Sequence, residues 1–81
     1  MEDQQLIELI RNSLCEVAPK KQAAFENIDA QTRIDSLGLD SIAVMEMVGY
    51  VEENLDLVFD DEGLADVETI GDLMRLCTAG S

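Results

Sequence analysis

Two serines in this 81-residue chain, Ser36 and Ser41, follow an aspartate and are candidates for chemistry. Asp40 and Ser41 stand at the start of the longest helically spaced apolar run, so Ser41 is expected in the first turn of a helix. Free backbone amides and the positive end of the helix dipole favour a phosphate group there. Ser36 precedes the turn at Leu37-Gly38, where a loop hydroxyl is the simpler role. Position alone leaves Ser41 equally compatible with an ordinary helix-start serine and a phosphate-bearing one.

Nucleophilic catalysis and metal binding find little support in the composition. The chain has no histidine, which removes Ser-His-Asp and Cys-His activation and histidine metal ligation. Cys15 and Cys77 stand far apart and form no C-x-x-C pair, so neither a zinc site nor a dithiol redox site is indicated. Both are expected to be buried free thiols. We predict no catalytic residue and no metal site.

Charge narrows the classes of partner. The chain has 18 acidic and 5 basic residues, a formal net charge of −13, yet its 47% hydrophobic content is too high for a disordered acidic tail. An acidic surface repels nucleic acid and anionic lipids and attracts basic protein faces. Residues 34–74 hold 12 of the acids and no base, and such a run is usually only a solvated face.

The length of the chain and the composition of its N-terminus limit the number of domains and the cellular location. A chain of 81 residues predicts one small domain over residues 1–81, which we expect to be monomeric. Glu2 and Asp3 stand where a secretory signal carries positive charge, and no apolar run approaches the ~18 residues of a membrane span. The sequence therefore predicts a cytoplasmic protein with no membrane insertion.

The first part of the chain predicts a helix and a long loop. Apolar residues at spacings of three and four predict a helix over residues 3–17, which Pro19 then ends. Residues 18–39 show no sustained period, so a long first loop with at most a short helical turn is expected. Four apolar side chains are expected to hold this loop against the core: Phe25, Ile28, Ile34 and Leu37.

The second long helix is predicted over residues 41–55, with Asp40 as its N-cap. Five residues form a stripe assigned to the core: Val44, Met47, Val48, Val51 and Leu55. Another apolar group, Ile42, Met45 and Gly49, lies on a different face and is expected to be partly exposed. Acids border that group at Glu46, Glu52 and Glu53. Exposed apolar side chains combined with unpaired charge indicate a surface for docking a partner.

The remaining sequence predicts two further helices. Leu64 and Val67 indicate a short third helix after the acids that begin at Asp60, and Thr69 with Asp72 approximates a capping box for a last helix. No apolar alternation indicates a strand. The predicted fold class is therefore all-α, a small four-helix bundle of three longer helices and one short third helix, with a long first loop.

The segment Leu37-Gly38-Leu39-Asp40-Ser41-Ile42, which opens an acidic amphipathic helix, resembles the acyl carrier protein signature. The resemblance extends over nearly the whole chain in length, helix order, first loop, acidic third helix and charge. It implies a carrier and not an enzyme. A separate phosphopantetheinyl transferase would attach 4′-phosphopantetheine from coenzyme A to Ser41 with Mg²⁺, which Asp40 can help to hold. The thiol of that arm would then carry an acyl group as a thioester.

The resemblance also implies how partners dock. Ile42 and Met45 would make short-range contacts, while Glu46, Glu52 and Glu53 steer the carrier onto basic faces. The implied partners are the transferase and the acyl-transfer, ligase or synthase enzymes of fatty acid or polyketide biosynthesis.

The chain departs from the common family pattern at three places. Ala43 stands where an acid is frequent, Gly49 where a bulky apolar residue is frequent, and Phe59-Asp60-Asp61 where a proline is frequent. A glycine inside a helix costs ~1 kcal/mol relative to alanine. Gly49 can leave room for a partner side chain, for the arm or for a packing neighbour, and of these we expect a packing neighbour.

The sequence is compatible with three alternatives. One is a specialised discrete carrier of aminoacyl or peptidyl groups. Another is an unmodified acidic adaptor that docks through the second long helix, with Ser41 merely structural. A calcium loop within residues 56–63 is disfavoured, because Leu57, Val58 and Phe59 occupy positions that need oxygen ligands.

Overall fold

A computed structural model describes residues 2–79 of the chain. The described part contains five α-helices: α1 (Asp3–Val17), α2 (Gln22–Phe25), α3 (Ser41–Leu55), α4 (Asp61–Ala65) and α5 (Ile70–Ala79). The predicted bounds of the two long helices, residues 3–17 and 41–55, are confirmed. Within residues 2–79, the only β-type pairing is an isolated bridge between Arg33 and Thr69, so the all-α prediction is confirmed.

The connection between α1 and α3 is more helical than predicted. It contains a 3₁₀ turn at Pro19–Lys21, the four-residue α2 and a second 3₁₀ turn at Ile34–Leu37. Proline suits the first position of such a turn because its missing N–H has no partner there in any case. The prediction that apolar side chains hold this connection to the core is confirmed, since all four are buried: Phe25, Ile28, Ile34 and Leu37.

The core lies where α1, α3 and α5 meet. Each helix contributes fully buried side chains, among them Leu6, Ile10, Leu14, Met47, Val51, Ile70 and Leu73. The predicted stripe on α3 is confirmed at its centre but not at its ends, because Val44 and Leu55 are only partly buried at the border of the core. Val44 and Leu55 lie in the first and last turns of α3, whereas the buried residues Met47, Val48 and Val51 lie in its middle turns.

The two cysteines differ in burial. Cys77 is buried and free, and burial raises the pKa of its thiol. A raised pKa keeps the sulfur protonated and unreactive at neutral pH. Cys15 is free but only partly buried, so the prediction that both thiols are buried is wrong for Cys15.

Backbone hydrogen bonds join the segment before α3 to the start of α5. The amide of Ile34 donates to the carbonyl of Glu68 at 3.0 Å, and that of Gly71 donates to the carbonyl of Ala30 at 2.8 Å. A Cβ at Gly71 would lie only 2.8 Å from the Ala30 oxygen, so this close approach requires glycine. The segment that leads to Ser41 is therefore anchored at a distance from Ser41 itself.

The start of α5 matches its prediction. The hydroxyl of Thr69 accepts from the amide of Asp72 at 3.1 Å, and the carboxylate of Asp72 accepts from the amide of Thr69 at 3.1 Å. The predicted capping box is therefore confirmed. In the part of the chain that the structure describes, we find no helix with the length and apolar character that crossing a membrane requires.

Candidate functional site

Ser41 is the first residue of α3, and its side chain is exposed. Asp40 precedes it as the N-cap, with Oδ1 accepting from the amide of Ala43 at 2.8 Å, as the sequence predicted. Within residues 2–79, no side chain or carbonyl forms a hydrogen bond with the Ser41 hydroxyl. This hydroxyl is therefore accessible and unpartnered at the positive end of a 15-residue helix.

Ser36, the second serine that follows an aspartate, is placed differently. It lies in the 3₁₀ turn before α3, and its hydroxyl donates to the carbonyl of Arg33 at 2.6 Å. The interpretation of Ser36 as a loop hydroxyl is confirmed, because that bond satisfies it locally.

A glycine turn sets the direction in which the chain enters α3. Gly38 has a φ of 74°, a left-handed conformation that is unfavourable for residues with a side chain. The Lys21 ammonium donates to the Gly38 carbonyl, which ties the turn to the segment after α1. The position of Ser41 thus depends on a conformation that the sequence secures with glycine.

An apolar cleft of about 900 Å³ opens beside Ser41, between α3 and α4. Ser41 and Met45 belong to its lining, and most of the other lining side chains are apolar, including Leu39, Val44, Val48, Phe59, Leu64 and Val67. Val44 is partly buried because it faces this cleft. The arrangement provides an apolar space next to an accessible hydroxyl.

The exposed apolar face predicted on α3 is present. Ile42 is 68% exposed and Met45 is 73% exposed, and Glu46 and Glu53 are exposed beside them. Glu52 is instead half-buried, and its Oε2 accepts from the amide of Phe59 at 2.7 Å. That carboxylate therefore also holds the loop after α3, a structural role that sequence spacing does not reveal.

One feature of this surface differs from the prediction, and a second was not predicted. A Cβ built on Gly49 meets nothing within 4 Å, so the expected packing neighbour is wrong and the glycine leaves open space. Val58 is 90% exposed and lines the cleft beside Ser41. Val58 lies in a loop without apolar periodicity, so the sequence indicated its exposure only by an apolar residue that stands among acids.

Cations are scarce around this surface. Among residues 2–79, ion pairs join Arg33 to Asp35 and Glu68, at 3.2 and 3.9 Å, and Arg75 to Asp72 at 2.6 Å. The hydrogen bond from Arg33 is the largest influence that holds the pKa of Asp35 below its ordinary value. No cation pairs with an acid of α3, and the described residues contain no group of three or more side chains able to hold a metal ion.

The chain is similar to proteins of known family. Residues 8–77 match the family described as "Phosphopantetheine attachment site". An acyl carrier protein of Exiguobacterium sp. is 42% identical over 40 residues, 49% of this chain and 51% of that protein. An acyl carrier protein of Clostridium perfringens is 36% identical over 47 residues, which are 58% of this chain and 62% of that protein. One of Exiguobacterium sibiricum is 27% identical over 74 residues, 91% of each.

The chain thus spans between half and two thirds of the first two relatives, and nearly all of the third. No solved structure matches it. The matched family carries 4′-phosphopantetheine, which confirms the predicted cofactor and the prediction of a carrier that is not an enzyme. Because the match covers residues 8–77 of 81, the chain belongs to the acyl carrier protein family of phosphopantetheine-bearing domains.

Proposed function

We propose that this chain is an acyl carrier whose 4′-phosphopantetheine arm is attached to the hydroxyl of Ser41. The observation that carries the proposal is the position of that hydroxyl, exposed and unpartnered within residues 2–79 at the first residue of α3. The arm supplies a terminal thiol that holds the cargo as a thioester. Ser36 is a poorer acceptor because its hydroxyl is bonded to the Arg33 carbonyl.

The first turn of α3 suits a phosphodiester on Ser41. Asp40 uses the amide of Ala43, while the amides of Ser41 and Ile42 have no acceptor within the described range. Those two N–H groups and the helix dipole stabilise negative charge at this end of the helix. The carboxylate of Asp40 lies next to Ser41 in sequence, where it can help to hold Mg²⁺ during arm transfer.

The cleft supports an acyl cargo over an aminoacyl one. Its lining is mostly apolar, and burying an alkyl chain there gains roughly 25 cal/mol per Å² of apolar surface removed from water. The charged ammonium of an aminoacyl group loses hydration against the apolar side chains, and the carboxylates in the lining, Asp35, Glu52, Asp61 and Glu68, are the groups that would attract it. We therefore favour an acyl group of fatty acid or polyketide biosynthesis, with the aminoacyl or peptidyl carrier as the second candidate.

The exposed face of α3 is the proposed docking surface. Ile42 and Met45 supply apolar contact, and the carboxylates of Glu46, Glu52 and Glu53 attract basic faces of partner enzymes. Long-range attraction raises the rate of encounter, while a small apolar contact keeps the complex short-lived. The partners would be the phosphopantetheinyl transferase and the acyl-transfer, ligase or synthase enzymes that use the loaded arm.

Isolation of the protein from its native host tests this function. Intact mass is measured before and after hydroxylamine treatment, which cleaves thioesters, and the released cargo is identified. We expect an arm-bearing protein that releases an acyl hydroxamate. Release of an aminoacyl hydroxamate would favour the second candidate, and a protein that never carries an arm would contradict the carrier function in favour of the unmodified adaptor.

A further inference from the structure

One side chain joins the turn before α3 to an earlier part of the chain. The Lys21 ammonium donates to the Gly38 carbonyl across a sequence separation of 17 residues. Within residues 2–79, no other hydrogen bond links residues 38–40 to a segment beyond the preceding 3₁₀ turn and α3. Lys21 therefore supplies the polar contact that holds these three residues to the rest of the described fold.

Packing contributes little to the conformation of residues 38–40. Gly38 and Asp40 are exposed, and Leu39 is only half-buried. Glycine also gives the backbone more conformational freedom than any other residue, and that freedom must be lost for the turn to keep one shape. A glycine turn with so little burial depends on specific contacts, and the bond from Lys21 is one of them.

Lys21 itself lies in a well-anchored segment. Its amide donates to the carbonyl of Ala18 at 3.0 Å, which fixes the 3₁₀ turn after α1. The ring of Phe25 in the following helix is fully buried, and the carbonyl of Phe25 accepts from Arg11 Nε at 3.2 Å. The hydrogen bond from Lys21 thus connects the glycine turn to a part of the fold that packing holds in place.

The turn precedes the proposed attachment site directly. Ser41 follows Gly38 by three positions and has an exposed hydroxyl. In arm transfer the Ser41 oxygen forms a bond to a phosphorus of coenzyme A, the diphosphate bond breaks, and adenosine 3′,5′-bisphosphate leaves. A base of the transferase takes the hydroxyl proton. Such a step requires the oxygen in line with the breaking bond, so the direction of the chain at Ser41 affects the reaction.

We propose that Lys21 is a positioning residue for arm attachment, acting through Gly38 on the presentation of Ser41 to the transferase. The inference rests on the proposed carrier function. Without the bond from Lys21, the turn adopts more orientations, and the transferase must order it on binding. That ordering cost weakens binding and raises KM, whereas kcat stays nearly constant because the ordered complex is the same.

Net charge predicts the opposite change. The chain carries a net charge of −13, and its proposed partners have basic faces. Removal of one cation makes the carrier more acidic, which strengthens attraction to such a face and lowers KM. A rise in KM after the loss of Lys21 therefore distinguishes positioning from electrostatic steering.

The test is the kinetics of arm transfer to the 81-residue chain, with coenzyme A, Mg²⁺ and a broad-specificity transferase. Lys21→Met should raise KM for the carrier about threefold or more, with kcat changed less than twofold. Lys21→Arg retains a cationic donor and should restore most of the loss. The matched control is Lys20→Met, because Lys20 is exposed and its ammonium has no bond within residues 2–79. An unchanged KM in Lys21→Met, or an equal rise in Lys20→Met, would overturn the proposal.

Nuclear magnetic resonance of the same variants measures the turn itself. Lys21→Met should shift the carbonyl ¹³C signal of Gly38 and lower the amide order parameters of Leu39 and Asp40 from about 0.85 toward 0.6. Lys20→Met should leave both unchanged, and both variants should keep the far-UV circular dichroism of the wild type. A raised KM without a change in these order parameters would contradict positioning, because it would mean that Lys21 contacts the transferase directly.

The end point of loading keeps this proposal separate from the carrier function. Every variant should reach complete loading, because Lys21 affects how readily Ser41 is presented and not whether it can react. Complete loading with an unchanged KM in Lys21→Met would contradict the role of Lys21 alone. Absence of loading in all variants and in the unsubstituted chain would contradict the carrier function.

Discussion

Asp40 has two roles that can be separated at the level of single atoms. Its carboxylate caps α3 through the amide of Ala43, and it is proposed to help hold Mg²⁺ beside Ser41 during arm transfer. Asparagine caps helices about as well as aspartate but lacks the charge that a magnesium ion prefers. Substitution by asparagine or alanine thus distinguishes a structural effect from a chemical one.

We predict that Asp40→Ala lowers the free energy of unfolding by about 1 kcal/mol, whereas Asp40→Asn leaves it nearly unchanged. Both substitutions should slow arm attachment, because both remove the charge. The measurements are urea denaturation and the initial rate of arm transfer. If the Asp40→Asn variant acquires the arm at the wild-type rate, Asp40 only caps the helix and does not help to hold Mg²⁺.

At the level of single residues, the sequence predicted exposure on α3 but not the contacts that depend on the tertiary fold. The helical period placed Ile42 and Met45 on an exposed face, and both are exposed. It did not reveal that Glu52 holds the amide of Phe59 or that Val58 is exposed, because both facts depend on how the loop after α3 folds back. Gly49 was expected to pack against a neighbour, but the open space beside it depends on the path of other elements.

At the scale of elements, two glycines of similar appearance in the sequence have opposite effects on the fold. Gly38 ends a 3₁₀ turn with a φ of 74°, and a Cβ there would lie 2.9 Å from the Lys21 ammonium nitrogen. Gly49 has ordinary helical geometry and open space. The first is required by backbone conformation, and the second is not.

We predict that Gly38→Ala destabilises the protein by about 1 kcal/mol or more, while Gly49→Ala stabilises it by up to ~1 kcal/mol. For a domain of this size, 1 kcal/mol corresponds to a Tm change of roughly 4–8 °C. Differential scanning calorimetry measures both shifts. Tm changes of the same sign in the two variants would contradict the assignment.

The capping box of α5 gives this element a defined dependence on pH. The amides of Glu68 and Thr69 donate hydrogen bonds to the Asp72 carboxylate. These bonds lower the pKa of Asp72 from its ordinary value of 3.8, and the bond from Glu68 has the largest influence. A lowered pKa in the folded state stabilises the fold above pH 3.8. That contribution is lost as the pH falls through the lower folded-state value.

We therefore predict that Asp72→Asn is less stable than wild type at pH 7, and that the difference shrinks below pH 3.8. Urea midpoints across the acid range measure it. Glu53→Gln is the control, because an acid near the C-terminal end of α3 is disfavoured by the helix dipole and should cause no loss at pH 7. A difference that stays constant with pH would contradict the role of the ionised carboxylate.

The connection between α1 and α3 was the element that the sequence described least well. Elements as short as α2 contain too few residues to show a helical period, and isolated helices of that length are unstable. Tertiary contacts stabilise it instead, through the buried ring of Phe25, whose carbonyl accepts from Arg11 Nε at 3.2 Å. The long helices were predictable because their periods repeat over 15 residues.

At the scale of the whole molecule, the charge of −13 affects folding and docking in opposite directions. Twelve acids between residues 34 and 74 have no base among them, so α3, α4 and the intervening loop repel one another. The same field attracts basic partners. Added salt screens both effects.

We predict that raising NaCl from low concentration to about 0.5 M, where the Debye length falls to roughly 4 Å, raises Tm by several degrees and weakens binding to a basic partner. Calorimetry and a binding titration of the holo-protein with its phosphopantetheinyl transferase measure the two effects. A Tm that falls with salt would show that the charges stabilise the fold on balance, and a Kd that does not change would show that the acidic surface contributes little to docking.

The attachment of the arm to Ser41 is the central claim, and site-resolved mass spectrometry tests it most directly. The protein and its Ser41→Ala and Ser36→Ala variants are incubated with coenzyme A, Mg²⁺ and a broad-specificity phosphopantetheinyl transferase, then fragmented to locate the added mass. We predict one phosphopantetheine on Ser41 in the unsubstituted chain and in Ser36→Ala, and none in Ser41→Ala. Arm attachment that persists in Ser41→Ala, or no attachment to any of the three proteins, would contradict the account.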